Sequence, residues 1–135
     1  SGIFQLTLNS PHGVQLVSKL PGNGVLAVSA ATMNHTPGRM YFYVPAGVKE
    51  VALRVSGENA DEWLNVDLLD PAGRVAASEK KVTKPTLLLA ERNNPASGEV
   101  WSVRVNSAVD DYNIAVLGDS VPVLSATPDS VFRNR

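Results

Sequence analysis

Nucleophilic catalysis is the first chemistry to test against this 135-residue sequence. The chain has no cysteine, and its two histidines, His12 and His35, stand in Pro-, Gly- and Asn-rich segments typical of loops. A Ser-His-acid triad needs its serine on a sharp turn beside an oriented base, and no G-x-S-x-G motif occurs. We therefore interpret both histidines as surface loop residues and predict that the protein is not an enzyme.

Paired carboxylates are the second candidate, because glycosidases work with two of them. The adjacent acids at 61–62 and 110–111 would point to opposite faces of an extended strand, so neither pair can line one cleft. Asp67 and Asp70 form a third pair, but Asp70 stands at the first position of a turn, where its carboxylate accepts backbone N–H groups. The sequence favours structural roles for these acids.

Calcium is the metal that the composition favours, because it takes hard oxygen ligands and the chain has no thiol ligand to offer. The polar segments 57–62 and 108–111 have the right residue types, but no EF-hand spacing accompanies them. We predict no cofactor, with a calcium ion as the alternative.

Aromatic side chains in two segments favour sugar binding. Alternation in 39–44 and 63–69 places Tyr41, Tyr43 and Trp63 on the faces opposite the apolar residues, where rings can act as stacking platforms. Polar residues on the same faces would supply hydrogen bonds. The predicted ligand-binding residues are Arg39, Tyr41, Tyr43, Trp63, Asn65 and Asp67. The alternative is that these aromatic rings pack under loops or the C-terminal tail, or support cross-strand neighbours.

The elements that must position these residues are strands, because apolar residues recur with a period of two along most of the chain. We predict about nine or ten short strands, over 3–8, 14–20, 25–29, 39–44, 49–56, 63–69, 74–78, 85–91, 99–106 and 112–117. Their spacing is typical of a β-sandwich or a barrel, and we predict an antiparallel β-sandwich of jelly-roll type. The predicted core is Met40, Phe42, Val51, Leu53, Val55, Leu64, Val66, Leu68, Trp101, Val103, Val105, Tyr112, Ile114 and Val116.

Length and charge limit the domains and the partners. The chain suits a single β-sandwich domain over 1–120, followed by an extended C-terminal tail over 121–135. With a net charge of −1, a pI near 6.1 and no basic stripe, neither nucleic acid nor a membrane surface is an expected partner. Apolar runs reach only four residues, as at 25–28, which is far too short to span a bilayer.

The middle of the chain carries a recurring set of turn and strand motifs. They are the aromatic segment YFYVPAG at 41–47, the hairpin segment DPAG at 70–73 and the strand segment WSVRV at 101–105. Over about residues 39 to 117, this order resembles the bacterial pre-peptidase C-terminal domains and related jelly-roll accessory domains of large secreted enzymes. The resemblance implies an accessory domain of such an enzyme. The tail, VPVLSATPDSV at 121–131, is similar to the end of sandwich domains in large carbohydrate-active proteins, which implies sugar binding as one role, beside a catalytic domain that acts on carbohydrate.

From this we predict a non-catalytic accessory module of a larger secreted bacterial protein, extracellular, periplasmic or on the cell surface. Its predicted role is carbohydrate binding, with a polysaccharide and the adjacent domains of the parent protein as partners. The alternative is a structural domain that packs against its neighbour and has no soluble ligand.

Overall fold

The computed structural model describes residues 25–27, 31–34 and 38–133 of the chain. This part forms ten strands and one short 3₁₀ helix, Pro128–Ser130. The strands are β1 (Val25–Ala27), β2 (Ala31–Asn34), β3 (Arg39–Val44), β4 (Glu50–Gly57), β5 (Trp63–Leu69), β6 (Val75–Val82), β7 (Thr86–Glu91), β8 (Glu99–Val109), β9 (Asp111–Leu117) and β10 (Val123–Ser125). The strands predicted at 3–8 and 14–20, and both histidines, lie outside the described residues.

The strands form two antiparallel sheets. Sheet A has the order β1-β10-β3-β8-β5-β6, and sheet B has the order β2-β9-β4-β7. Without β5 and β6, each sheet has four strands, and their orders, β1-β10-β3-β8 and β2-β9-β4-β7, are those of a jelly roll. The hairpin β5–β6 is inserted between β4 and β7 and widens sheet A alone. The predicted all-β sandwich of jelly-roll type is confirmed.

The core lies between the sheets and follows the alternation of the sequence. On β3, the side chains of Met40, Phe42 and Val44 are buried, whereas the intervening residues are half-buried on the outer face of sheet A. All fourteen predicted core residues are buried. Burial of this apolar surface is the main force that holds the two sheets together.

The hairpin β5–β6 turns at the segment that the sequence predicts. The backbone oxygen of Asp70 accepts the N–H of Gly73 at 2.8 Å, which closes a β-turn with Pro71 at its second position. Gly73 follows with a φ of 80°, a left-handed conformation that favours glycine. The turn places Asp70 and Arg74 at the end of the sandwich.

The C-terminal tail supplies a strand of sheet A. Strand β10 lies between β1 and β3, with Leu124 opposite Leu26 and Ser125 opposite Tyr41. Just before it, the N–H of Val121 donates to the backbone oxygen of Tyr43 at 2.9 Å. The described part of the chain contains no helix long and apolar enough to cross a membrane.

Candidate functional site

The predicted tyrosines lie together on the outer face of sheet A, but neither ring is free. The guanidinium carbon of Arg39 lies 5.9 Å from the centroid of the Tyr41 ring, and that of Arg133 lies 5.8 Å from the Tyr43 ring. The Tyr43 hydroxyl also lies so close to Gly98 that a Cβ there would overlap it. Each ring is therefore partly covered by another part of the chain.

Trp63 lies near the opposite end of the same sheet. Tyr43 is opposite Val100 on β8, whereas Trp63 is opposite Val109. At ~3.3 Å per residue, these positions are roughly 30 Å apart along β8. One sugar ring cannot contact both Trp63 and Tyr43 at this separation.

Asn65 connects its two neighbouring strands. Its Nδ2 donates to the Ser107 hydroxyl at 2.7 Å, and its Oδ1 accepts the backbone N–H of Lys81 at 2.8 Å. The register shifts at Asn65 both in the pairing of β5 with β6 and in the pairing of β5 with β8, and Lys81 on β6 has a φ of 52°. Asn65 therefore provides hydrogen bonds where the regular pairing is interrupted.

Asp67 is buried on the outer face of sheet A, and both of its carboxylate oxygens accept hydrogen bonds. Its carboxylate accepts hydrogen bonds from Ser78 Oγ at 2.7 Å, Arg104 Nη2 at 2.7 Å and Asn106 Nδ2 at 2.8 Å. Burial raises the pKa of Asp67, but these hydrogen bonds and the Arg104 charge outweigh burial and hold it below its ordinary value of 3.8. Asp67 therefore stays ionised and ties β5, β6 and β8 together.

The structure thus brings together only part of the predicted set. Arg39, Tyr41 and Tyr43 share the outer face of β3, Arg39 and Asp67 both lie opposite Arg104, and Asn65 and Asp67 make hydrogen bonds between strands. Their assignment to a ligand stays a prediction.

A second site is a cleft of about 570 Å³ at the end of the sandwich. One wall is the turn of the β5–β6 hairpin, over residues 70–76, and the other is the end of β7 with Asn93 and Asn94. Glu99 and Trp101 lie between these walls. The hairpin adds two strands to the edge of sheet A, β7 is the edge strand of sheet B, and the cleft lies between them. Its volume is typical of small-molecule sites.

Glu99 is a fixed acceptor in this cleft. Arg92 Nε donates to Glu99 Oε2 at 3.0 Å, and Trp101 Nε1 donates to the same oxygen at 3.2 Å. No donor from the described residues reaches Oε1, and the side chain is 25% exposed. The second oxygen can therefore accept a hydrogen bond from a ligand without any rearrangement of the first.

Asp70 is a second ionised acceptor, on the hairpin wall. Its carboxylate accepts the backbone N–H of Arg74 at 2.9 Å and the Arg74 Nε at 2.7 Å. Burial raises the pKa of Asp70, but the hydrogen bonds and charge of Arg74 outweigh it and leave the pKa below 3.8. The turn therefore presents a carboxylate whose position is set by its own hairpin.

The rest of the cleft combines amide groups with aliphatic surface. The Asn94 Oδ1 accepts the N–H of Ala96 at 3.2 Å, which leaves its Nδ2 as a donor. Val75 on the hairpin and Leu89 on β7 add exposed aliphatic side chains. Donors, acceptors and apolar surface thus meet within one opening.

Sequence reasoning missed Glu99, Arg92 and Asn94. Along β8, Glu99 lies two and four residues before Trp101 and Val103, so its side chain points to the same, inward face as theirs. A glutamate at an inward-facing position of a strand is the signal that could have identified it. Nothing in the sequence places Asn94 or Arg92 beside it.

In the two segments predicted as calcium candidates, some of the oxygen atoms accept hydrogen bonds from within the chain. In 57–62, both oxygens of the Glu62 carboxylate accept hydrogen bonds from Asn59, at 2.7 Å from its backbone N–H and at 3.0 Å from its amide. Asp111 already belongs to β9, and its backbone oxygen accepts the N–H of Glu58 at 3.2 Å. Within residues 25–27, 31–34 and 38–133, no group of three or more acids and histidines is placed to hold a metal ion.

Comparison with protein-family models finds no match for this chain, and neither does comparison with curated proteins. The function must therefore be inferred from the geometry of the cleft and of the outer face of sheet A.

Proposed function

We propose that this chain is a non-catalytic carbohydrate-binding module of a larger secreted protein, and that a saccharide binds in the cleft between the β5–β6 hairpin and β7. The observation that carries the proposal is the Glu99 carboxylate, fixed through one oxygen and open to the cleft through the other. A sugar presents hydroxyl groups at its edge and C–H groups on its faces. Glu99 and the Asn94 amide can form hydrogen bonds with the hydroxyl groups, and Val75 and Leu89 can pack against the C–H groups.

The proposal includes no reaction, because two of the three carboxylates that line the cleft, Asp70 and Glu99, are paired with arginines and the sequence has no nucleophile motif. The module would instead hold its parent protein on a polymer and so raise the local concentration of substrate.

A pair of leucines on β7 provides the test. Leu89 lines the cleft and is 48% exposed, whereas Leu87 is 53% exposed, faces the same way and does not line the cleft. Leu89→Arg should block the cleft, and Leu87→Arg is the matched control. Binding to a panel of soluble and insoluble polysaccharides, by affinity gel and calorimetry, should be lost in the first variant and kept in the second.

Two outcomes would count against the cleft. If Tyr43→Ala removes binding and Leu89→Arg does not, the saccharide binds on the outer face of sheet A. If no glycan binds at millimolar concentration, the carbohydrate-binding proposal is wrong.

An apolar row on sheet B favours a second candidate, a structural domain that packs against a neighbouring domain. Leu89 and Leu117 both lie opposite Ala52 on the outer face, and Leu87 is adjacent. Packing of this face would depend on Leu87 and Leu89 alike, whereas only Leu89 of this pair lines the cleft. Copurification of the separately expressed neighbour with both arginine variants separates the two candidates.

A further inference from the structure

The charges of this chain are unevenly distributed along the sequence. The first acidic residue is Glu50, and the preceding 49 residues contain Lys19, Arg39 and Lys49 but no Asp or Glu. All 13 acidic residues therefore fall inside the continuous described segment 38–133. The ion pairs within that segment are Arg74–Asp70, Arg92–Glu99 and Arg104–Asp67. Within the same segment, Arg39 has no Asp or Glu as an ion-pair partner.

Arg39 lies directly beside a second arginine. It is opposite Arg104 in the register of β3 and β8, so their Cβ atoms are roughly 5 Å apart on the outer face of sheet A. Like charges in this position repel each other. Asp67 balances one of the two guanidinium groups, through its contact with Arg104 at 2.7 Å.

Asp67 cannot balance both charges. Its carboxylate already accepts hydrogen bonds from Ser78 and Asn106 in addition to Arg104. The row Arg39, Arg104 and Asp67 therefore carries one excess positive charge.

The Arg39 guanidinium is also held in place. It lies over the Tyr41 ring at 5.9 Å and beside the hairpin turn, where a Cβ added to Gly73 would lie 3.3 Å from its Nη2. The Arg104 side chain remains 44% exposed. A guanidinium that is fixed before binding loses less side-chain freedom when a ligand arrives.

We propose that Arg39 and Arg104 form a binding site for an oxyanion group: a carboxylate, sulfate or phosphate. A guanidinium fork suits the geometry of such a group, and the register places two arginines side by side, so the group would balance the excess charge of the row. The group is either a free anion or an acidic substituent of a polysaccharide. This site does not use the cleft and does not rest on the proposed function.

The test is titration of the protein with sulfate and with phosphate at constant ionic strength, with binding measured from NMR chemical-shift changes. Saturable binding is expected with roughly millimolar affinity, and Arg39→Gln should weaken it roughly tenfold through loss of one charge-assisted fork. Arg54→Gln is the matched control, because Arg54 is an exposed arginine on the outer face of sheet B. Arg39→Lys should recover only part of the affinity, because an ammonium lacks the fork.

A second set of titrations identifies the source of the oxyanion. In it, a sulfated polysaccharide is compared with free sulfate, and a polyuronate with acetate, at equal concentrations of anionic groups. Tighter binding of a polymer through Arg39 identifies an acidic glycan, and equal binding identifies a free anion. The proposal is overturned if no saturable binding is seen with any of these probes, or if Arg39→Gln and Arg54→Gln change the affinity equally.

Discussion

The guanidinium of Arg92 lies 3.0 Å from the carboxylate of Glu99 and has no exposed surface. It also donates to the backbone oxygens of Pro45 and Val48, at 2.7 Å each, and to that of Ser97. One side chain thus joins the β3–β4 connection to the β7–β8 connection and fixes the acceptor in the cleft. The binding geometry proposed for Glu99 depends on this buried arginine.

Replacement of Arg92 by methionine should destabilise the fold strongly. The change removes the Arg92 donor from the partly buried Glu99 carboxylate and from three carbonyl oxygens, and breaking a buried pair costs about 3–5 kcal/mol. Arg92→Lys keeps the charge but cannot reach four acceptors, so its loss should be intermediate. Urea unfolding measures both, with the exposed Arg54→Met as the control. A loss within about 1 kcal/mol for Arg92→Met would show that the contacts are not stabilising.

Strands whose alternation is uninterrupted could be predicted from the sequence. Strands β3 and β5 have the predicted bounds because one face of each is apolar and the other is polar. Strand β6 runs to Val82 rather than residue 78, because it is an edge strand that is mostly exposed and lacks an apolar face. Strand β10 was missed because prolines flank a stretch of three residues that is buried throughout.

The candidate sites could be predicted only in part, because they depend on which strands are neighbours. Alternation correctly places Arg39 and Tyr41 on one outer face, but only the register puts Arg104 beside Arg39. The cleft depends on a hairpin that widens one sheet and not the other. That is a long-range property of the fold, and no local pattern in the sequence encodes it.

Asp67 should make stability depend on pH in acid. Because its pKa is lowered in the folded protein, the unfolded state binds more protons as the pH falls. The stability that Asp67 contributes is therefore present above its ordinary pKa of 3.8 and is lost as the pH falls through the lower folded value. Asp67→Asn should lose roughly 1–2 kcal/mol at neutral pH, where it removes charged hydrogen bonds.

The two unfolding free energies should converge in acid, where the wild-type carboxylate is protonated. Urea unfolding at neutral pH and at a series of decreasing pH values below 3.8 checks this convergence. Asp70→Asn should show the same direction, because the pKa of Asp70 is also lowered. The exposed Asp119→Asn is the control. If acid lowers the free energy of unfolding of Asp67→Asn as much as that of the wild type, the assigned role of Asp67 is contradicted.

The contact between Tyr43 and Gly98 predicts that one added methyl group will destabilise the protein. In Gly98→Ala, the new Cβ overlaps the Tyr43 hydroxyl, so the ring must move away from its place beneath Arg133. Overpacking of this kind costs about 1–3 kcal/mol. The loss should nearly vanish in a Tyr43→Ser background, because the ring is then missing. A double-mutant cycle by urea unfolding measures this coupling. If the two losses simply add, Tyr43 does not pack on Gly98.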